Sequence, residues 1–273
     1  MIRLLQIEWL KLKHYRPFWI LMGLTALVTI GICSSGMLLM NFLKNEGADF
    51  NGFDPTMVPL YDFPDIWQNL TYVASFFKIL PAFIVIISIA NEFSHRILRQ
   101  NIIDGLSKKE WLLSKLLFIG IIAISFTGIV GLIGIVTGLI YAHPDSLQFM
   151  FSGTSFLLAY SLDVFIYLIF AMLLTMIVRR GGLVIMGLFM YTFMIEPFIV
   201  QFLTYHSGVP DYAQTIAPFL PVKAIHSLVR IPFPRYLFWE IQDYVALKDL
   251  IVALCWGGFF IATSYWILRR KDL

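Results

Sequence analysis

Three ionisable residues stand inside long apolar stretches of this chain: Lys78, Asp163 and Glu196. A charge placed in hydrocarbon costs about 3 kcal/mol or more on insertion scales, so each of these must face protein or water. Two carboxylates and an ammonium in such a setting can do one of three things. They can form an interhelical ion pair, Lys78 with Asp163 or Lys78 with Glu196. They can line a polar path for a molecule that crosses the bilayer. Alternatively, Asp163 and Glu196 can serve as the acid groups of a membrane-embedded enzyme acting on lipid or peptide. Glu196 is followed by Pro197. Proline has no backbone N–H and disturbs the preceding turn, which frees carbonyls beside the carboxylate and marks a polar, broken point.

A second stretch carries chemistry of another kind. Asn91 to Lys115, NEFSHRILRQNIIDGLSKKEWLLSK, is a charged interruption between two apolar runs, with Arg96, Arg99, Lys108, Lys109 and Lys115. Asp104-Gly105 ends a helix, since glycine tolerates the backbone angles a helix end needs. Ser107 precedes Glu110 by three residues, the spacing of a capping box that starts the next helix. The segment therefore reads as an elbow: a helix leaves the membrane, turns, and another re-enters. It is either an ordinary basic loop or a basic face offered to a partner.

Other chemistries have no sequence support. No G-x-x-x-x-G-K-[ST] is present to cradle nucleotide phosphates, and no H-E-x-x-H. The five histidines are scattered, so no zinc or other metal site is expected. The basic residues are explained by topology and give no case for nucleic-acid binding. The acidic residues Glu46, Asp49, Asp54, Asp62 and Asp65 of the first long loop match no calcium-loop spacing.

The elements that must position these residues follow from composition. Hydrophobic residues make up 59% of the 273-residue chain, charged residues 14%, and mean hydropathy is +0.80. Soluble domains carry about 25% charged residues, so the fold class is an all-α integral membrane protein. A bilayer core needs roughly 20 apolar residues in a helix. Six runs qualify, at 18–42, 72–90, 116–141, 155–178, 183–205 and 247–268. The first is too long for a signal-peptide core and is expected to be a retained span. Cys33 and Cys255 lie in apolar runs and read as buried small residues rather than a disulfide.

Residues 1–17 form a separate element, an interfacial amphipathic helix with Ile2, Leu5, Trp9 and Leu12 on its apolar face and Arg3, Glu8 and Lys11 pointing elsewhere. Residues 206–246 are too apolar for a solvated loop and too rich in proline for a span, which predicts short helices dipping into the outer leaflet. Gly134 and Gly138 are a GxxxG pair suited to close helix packing within the chain. Fourteen of the twenty Lys/Arg fall on the side of the two termini and five on the other, so both termini are expected in the cytoplasm.

The whole pattern resembles the membrane-permease subunit of type 2 ABC exporters. The residues that carry the resemblance are Glu92-Phe93, Gly105-Leu106-Ser107-Lys108-Lys109-Glu110 and Lys115, set between the second and third of six spans, together with Glu196-Pro197 and the long outer segment before the last span. The resemblance implies that residues 91–115 are a coupling elbow docking on a separate phosphate-loop ATPase through Glu92, Phe93, Arg96, Arg99, Gly105, Leu106, Ser107, Lys108, Lys109 and Glu110. It implies two permease chains, identical or different, and ATP with Mg bound only on the partner ATPase, with no cofactor on this non-enzymatic chain. It also implies an extracellular gate in 206–246, a translocation path past Lys78, Asp163, Glu196 and Pro197, and a place in the bacterial inner membrane. A hydrophobic, drug-like, peptide or lipid-linked cargo would suit the apolar interior.

Overall fold

The computed structural model describes residues 2–45, 60–205, 211–232 and 244–270. Among them every regular element is a helix, in the order α1 (Ile2–Lys13), α2 (Arg16–Ser34), α3 (Gly36–Asn45), α4 (Asp65–Phe76), α5 (Ile79–Ser94), α6 (Ile97–Ile103), α7 (Lys108–Tyr141), α8 (Ser155–Val178), α9 (Gly181–Met190), a π-helical turn Tyr191–Ile195, α10 (Glu196–Tyr205), α11 (Asp211–Ile216), α12 (Pro221–His226) and α13 (Leu247–Arg270). Five helical stretches are long and apolar enough to cross a membrane: α2, α7, α8, the continuous α9–α10 stretch and α13. The pair α4 and α5, bent by 45°, passes the same test only when taken together, so the count is five, or six with this pair as one broken span. The fold class agrees with the sequence, and the six expected spans match the count taken with this pair as one span.

The core is built on α8. Its sequence is apolar on all sides, and such a helix is stable only when surrounded. It packs against α4, α5, α7 and α13. By contrast α2, α13 and the α9–α10 stretch bury about a fifth of their length and leave broad apolar faces for lipid.

Three spans depart from their sequence boundaries. The first, expected over 18–42, breaks at Ser35 between α2 and α3. Tyr61 occupies the break: its hydroxyl donates to the Cys33 carbonyl at 2.9 Å and accepts the Gly36 N–H at 3.0 Å. Backbone groups released by the interruption thus keep partners away from water. A Cβ at position 36 would come within 2.7 Å of the Tyr61 hydroxyl, so a larger residue would push that ring from the break.

The second span, expected over 72–90, starts earlier and is broken at Phe77-Lys78. Residues 65–71 read as outer loop in the sequence because Asp65, Gln68 and Asn69 lower its hydropathy. In the fold Gln68, Asn69 and Thr71 are buried and their side-chain donors find protein carbonyls: Gln68 Nε2 donates to the Arg230 carbonyl (3.2 Å), Asn69 Nδ2 to that of Leu60 (2.8 Å) and the Thr71 hydroxyl to that of Trp67. The Trp67 indole N–H donates to the Met150 carbonyl at 2.8 Å. Buried polar groups are tolerated once hydrogen-bonded, so composition alone misplaced this helix. Within the acidic loop, Glu46, Asp49 and Asp54 lie outside the described residues, while Asp62 accepts the His143 N–H at 2.8 Å.

The third span is much longer than expected. α7 has 34 residues, about 51 Å at ~1.5 Å per residue against a hydrocarbon core of about 30 Å. Its first turns therefore stand clear of the apolar zone and carry the elbow. Gly134 and Gly138 face α4 of the same chain; a Cβ on Gly134 would lie 2.7 Å from the Trp67 ring. The GxxxG pair serves packing within the chain. Cys33 is buried as expected, whereas Cys255 is exposed on the lipid-facing helix α13.

Candidate functional site

The elbow is the more sharply built of two candidate regions. α5 ends at Ser94, well before the Asp104-Gly105 break that the sequence marks, and Arg96 takes a left-handed conformation (φ 55°) to start α6 in a new direction. The end of α6 is a Schellman motif: the Leu106 N–H bonds the Asn101 carbonyl at 2.9 Å and the Gly105 N–H bonds that of Ile102 at 3.1 Å, with Gly105 at φ 97°. Directly after it the expected capping box is formed. The Glu110 N–H donates to Ser107 Oγ at 3.2 Å, and the Ser107 N–H donates to Glu110 Oε2 at 2.8 Å. Those Ser107 donors hold the Glu110 carboxyl below the ordinary carboxylate range. Because the folded value is lowered, the contribution is present above the unfolded value and fades as pH falls through the folded one.

Two stops and two starts between Ser94 and Lys108 give a rigid turn. Arg96, Arg99, Lys109 and Glu110 are exposed on it, and Ile103 is 76% exposed, an apolar knob among charges. Lys109 lies 5.9 Å from the Tyr265 ring centroid and Lys108 reaches the Arg269 carbonyl, so the elbow also touches the end of α13.

Two members of the sequence motif lie elsewhere. Lys115 was counted among the elbow's basic face, but its side chain is fully buried. Its ammonium contacts Glu8 Oε2 and Glu92 Oε1, each at 2.6 Å. Lys11 bridges the same carboxylates at 3.3 and 3.0 Å, and the Trp111 indole N–H donates to Glu92 Oε2 at 2.9 Å. Glu92, grouped by sequence with the exposed docking residues, is 4% exposed and acts from beneath. Phe93 is half-buried under the Arg179 guanidinium, 5.4 Å from its ring centroid.

The consequence for α1 is a rotated helix. Sequence placed Glu8 and Lys11 away from the fold. The fold instead buries Leu4, Glu8 and Leu12 and leaves Trp9 exposed. The missed signal was the i, i+4, i+8 stripe of two leucines with a glutamate between them. Two carboxylates meet two ammoniums, so the cluster is neutral and its burial is tolerated.

The second region lies inside the membrane-spanning body. Lys78, at the break between α4 and α5, meets Asp163 of α8 at 2.5 Å. Of the two pairings open to sequence, this is the one formed. Lys78 also lies 5.2 Å from the Tyr167 ring centroid, and the Tyr167 hydroxyl bonds Thr192 in the π-helical turn at 2.9 Å. Glu196 does not join the pair. Its carboxylate accepts the backbone N–H groups of Val222 (3.1 Å) and Lys223 (2.6 Å) in the first turn of α12. A carboxylate there completes bonds that the start of a helix cannot make internally. The π-helical turn sits just ahead of Glu196-Pro197, where proline's missing donor loosens the ladder. The outer segment was expected to hold short helices, and α11 and α12 are there, with Ile225, Leu228 and Val229 buried against the body.

Lys78, Glu196 and Pro197 line one large cavity of about 1250 Å³ between α4, α10, α12 and the start of α13. Asp163 stands behind Lys78. The cavity exceeds the 300–1,000 Å³ of ordinary small-molecule pockets. Among the described residues no group of three or more His, Cys, Asp or Glu could hold a metal ion.

The role of Glu196 gives a direct expectation. Glu196→Gln keeps one acceptor oxygen but loses the charge-assisted pair, a loss of about 1.5–3 kcal/mol locally. The protein is expected to insert and melt only slightly lower in nonionic detergent, while a cysteine at Ser227 becomes faster to label with an aqueous maleimide. Unchanged labelling and melting would remove Glu196 as the tie between α10 and α12.

A search of curated proteins found no match. A protein-family model described as "ABC-2 family transporter protein" matches residues 63–267, three quarters of the chain.

Proposed function

The chain belongs to the ABC-2 transporter family and is a multi-pass membrane permease, and from that premise we propose that it exports a hydrophobic, drug-like, peptide or lipid-linked cargo while a separate phosphate-loop ATPase supplies the energy. The observation that carries the reading is the elbow. It is held rigid by a Schellman motif and a capping box, and it presents cations around the exposed Ile103. A rigid, charged knob transmits force between subunits better than a mobile loop. The sequence has no phosphate-binding loop of its own, which fits a motor on another chain. The basic asymmetry fits an elbow and both termini in the cytoplasm of a bacterial inner membrane. A second permease copy, identical or related, would cover part of the apolar α9–α10 face.

The carboxylates Asp163 and Glu196 hold different partners, an ammonium and two backbone amides. That division favours a path through the body over an acid pair for catalysis.

The test is purification of the tagged chain from its native membrane. A stoichiometric phosphate-loop ATPase is expected with it. Gly105→Val should abolish most of that association, since the position needs φ 97° and a β-branched residue there is strained by about 1–3 kcal/mol. Ser107→Ala should weaken the second elbow helix by about 1 kcal/mol and association to a lesser degree. Normal association in Gly105→Val would reduce the segment to a loop. In a cysteine-free background, an impermeant reagent on intact cells should label position 146 and spare position 108; the reverse would invert the topology.

A further inference from the structure

We propose that the cavity between α4, α10 and α12 is the cargo site and that it takes an anionic amphiphile, a molecule with one acidic head group and an apolar or aromatic body. The proposal rests on the permease reading and adds a chemical class to it.

The charge of the cavity wall is the first observation. Four cations line it, Lys78, Lys223, Arg230 and Lys248, against two carboxylates, Glu196 and Asp249. Lys78 is paired with Asp163 behind the wall, and Arg230 with Asp249 at 3.0 Å. Glu196 is taken up by the amides of Val222 and Lys223. Among the described residues no carboxylate pairs with Lys223 or Lys248. Lys248 leans over the Phe219 ring at 5.3 Å, a contact that leaves its ammonium open to an anion. Two ammoniums without a carboxylate partner in the lining of one cavity favour an acidic guest there.

The placement of the apolar residues is the second observation. Lys223 and Lys248 belong to the segment before the last span and to the first turn of α13. Phe76, Ile79 and Phe193 line the same cavity from within α4, α5 and the π-helical turn. The lining thus combines ammoniums with rings and aliphatic groups, and Lys78 itself stands between Phe76 and Ile79. An amphiphile fits such a lining, with its acidic head at an ammonium and its body along the rings. The π-helical turn, which joins α9 to α10, and the Glu196 tie between α10 and α12 both border this cavity.

The experiment uses the full chain, without an ATPase, in phosphatidylcholine nanodiscs. The probe is 11-(dansylamino)undecanoate, whose emission rises in apolar surroundings, compared with its uncharged methyl ester. Saturable binding of the acid is expected, at least tenfold tighter than the ester. The double variant Lys223→Gln/Lys248→Gln should lose at least tenfold for the acid, leave the ester unchanged and melt as the wild type does. Equal affinity for acid and ester, or wild-type affinity in the double variant, would overturn the anionic class. Displacement by inorganic phosphate as effective as by decanoate would overturn the amphiphile in favour of a small anion. Displacement by phosphatidylglycerol in the nanodisc would assign the site to bilayer lipid and overturn the cargo assignment. None of these readouts uses the ATPase, so their failure leaves the permease reading standing. Failure of ATPase association would leave the binding result untouched.

Discussion

Replacing Lys115 by Met is expected to destabilise the protein by about 3–5 kcal/mol, the loss typical of removing one partner from a buried ion pair. The substitution keeps the length and volume of the side chain and removes only the ammonium. Glu8 and Glu92, 2% and 4% exposed, would then face each other with Lys11 as their only cation among the described residues. α1 should detach from α7, because its buried stripe would bring an unbalanced carboxylate with it. The measurements are thermal unfolding in nonionic detergent and maleimide labelling of a cysteine at Leu4, which is buried in the wild type. A triple variant Glu8→Gln/Glu92→Gln/Lys115→Met should recover most of the loss, since the amides keep hydrogen bonding and remove the charge. Wild-type melting of Lys115→Met would show that the cluster does not hold α1. Loss of α1 should also lower association with the ATPase without touching any exposed elbow residue, because Glu92 and Trp111 support the elbow from below.

Lys78→Met should have a loss of similar size, about 3–5 kcal/mol. Asp163 is fully buried, and one of its oxygens has no hydrogen-bond partner among the described residues even with Lys78 in place. Removing the ammonium leaves the carboxylate alone in the centre of the helical body. The double variant Lys78→Met/Asp163→Leu should recover most of the stability, because an apolar pair can replace a buried ion pair at little cost. Its transport then separates two roles. If the pair is only structural, the double variant exports normally. If export stays lost while melting is restored, the pair acts in translocation. A Lys78→Met protein that melts as the wild type would contradict the 2.5 Å contact itself.

The sequence by itself determined what depends on local pattern. Runs of apolar residues mark spans because a bilayer requires some 20 of them in a helix. Ser107 and Glu110 mark a helix start because the capping box is closed within four residues. Glu196-Pro197 marks a broken point because the missing donor acts on its own turn. All of these are visible without knowing what lies alongside.

What only the tertiary structure decided depends on residues far apart. Lys115 looked like one more elbow cation until α1 brought Glu8 to it across 107 positions. Glu196 could have met Lys78, but its carboxylate turned to the backbone of α12, which carries no sequence signature for such a partner. α4 resembled loop because its polar side chains lower hydropathy, and only packing shows that the donors of Gln68, Asn69 and Thr71 find carbonyls inside the protein. The physical reason is common to the three cases. A polar or charged residue is stable in the membrane-embedded body only with a partner, and the identity of the partner is a property of helix packing rather than of the neighbouring sequence.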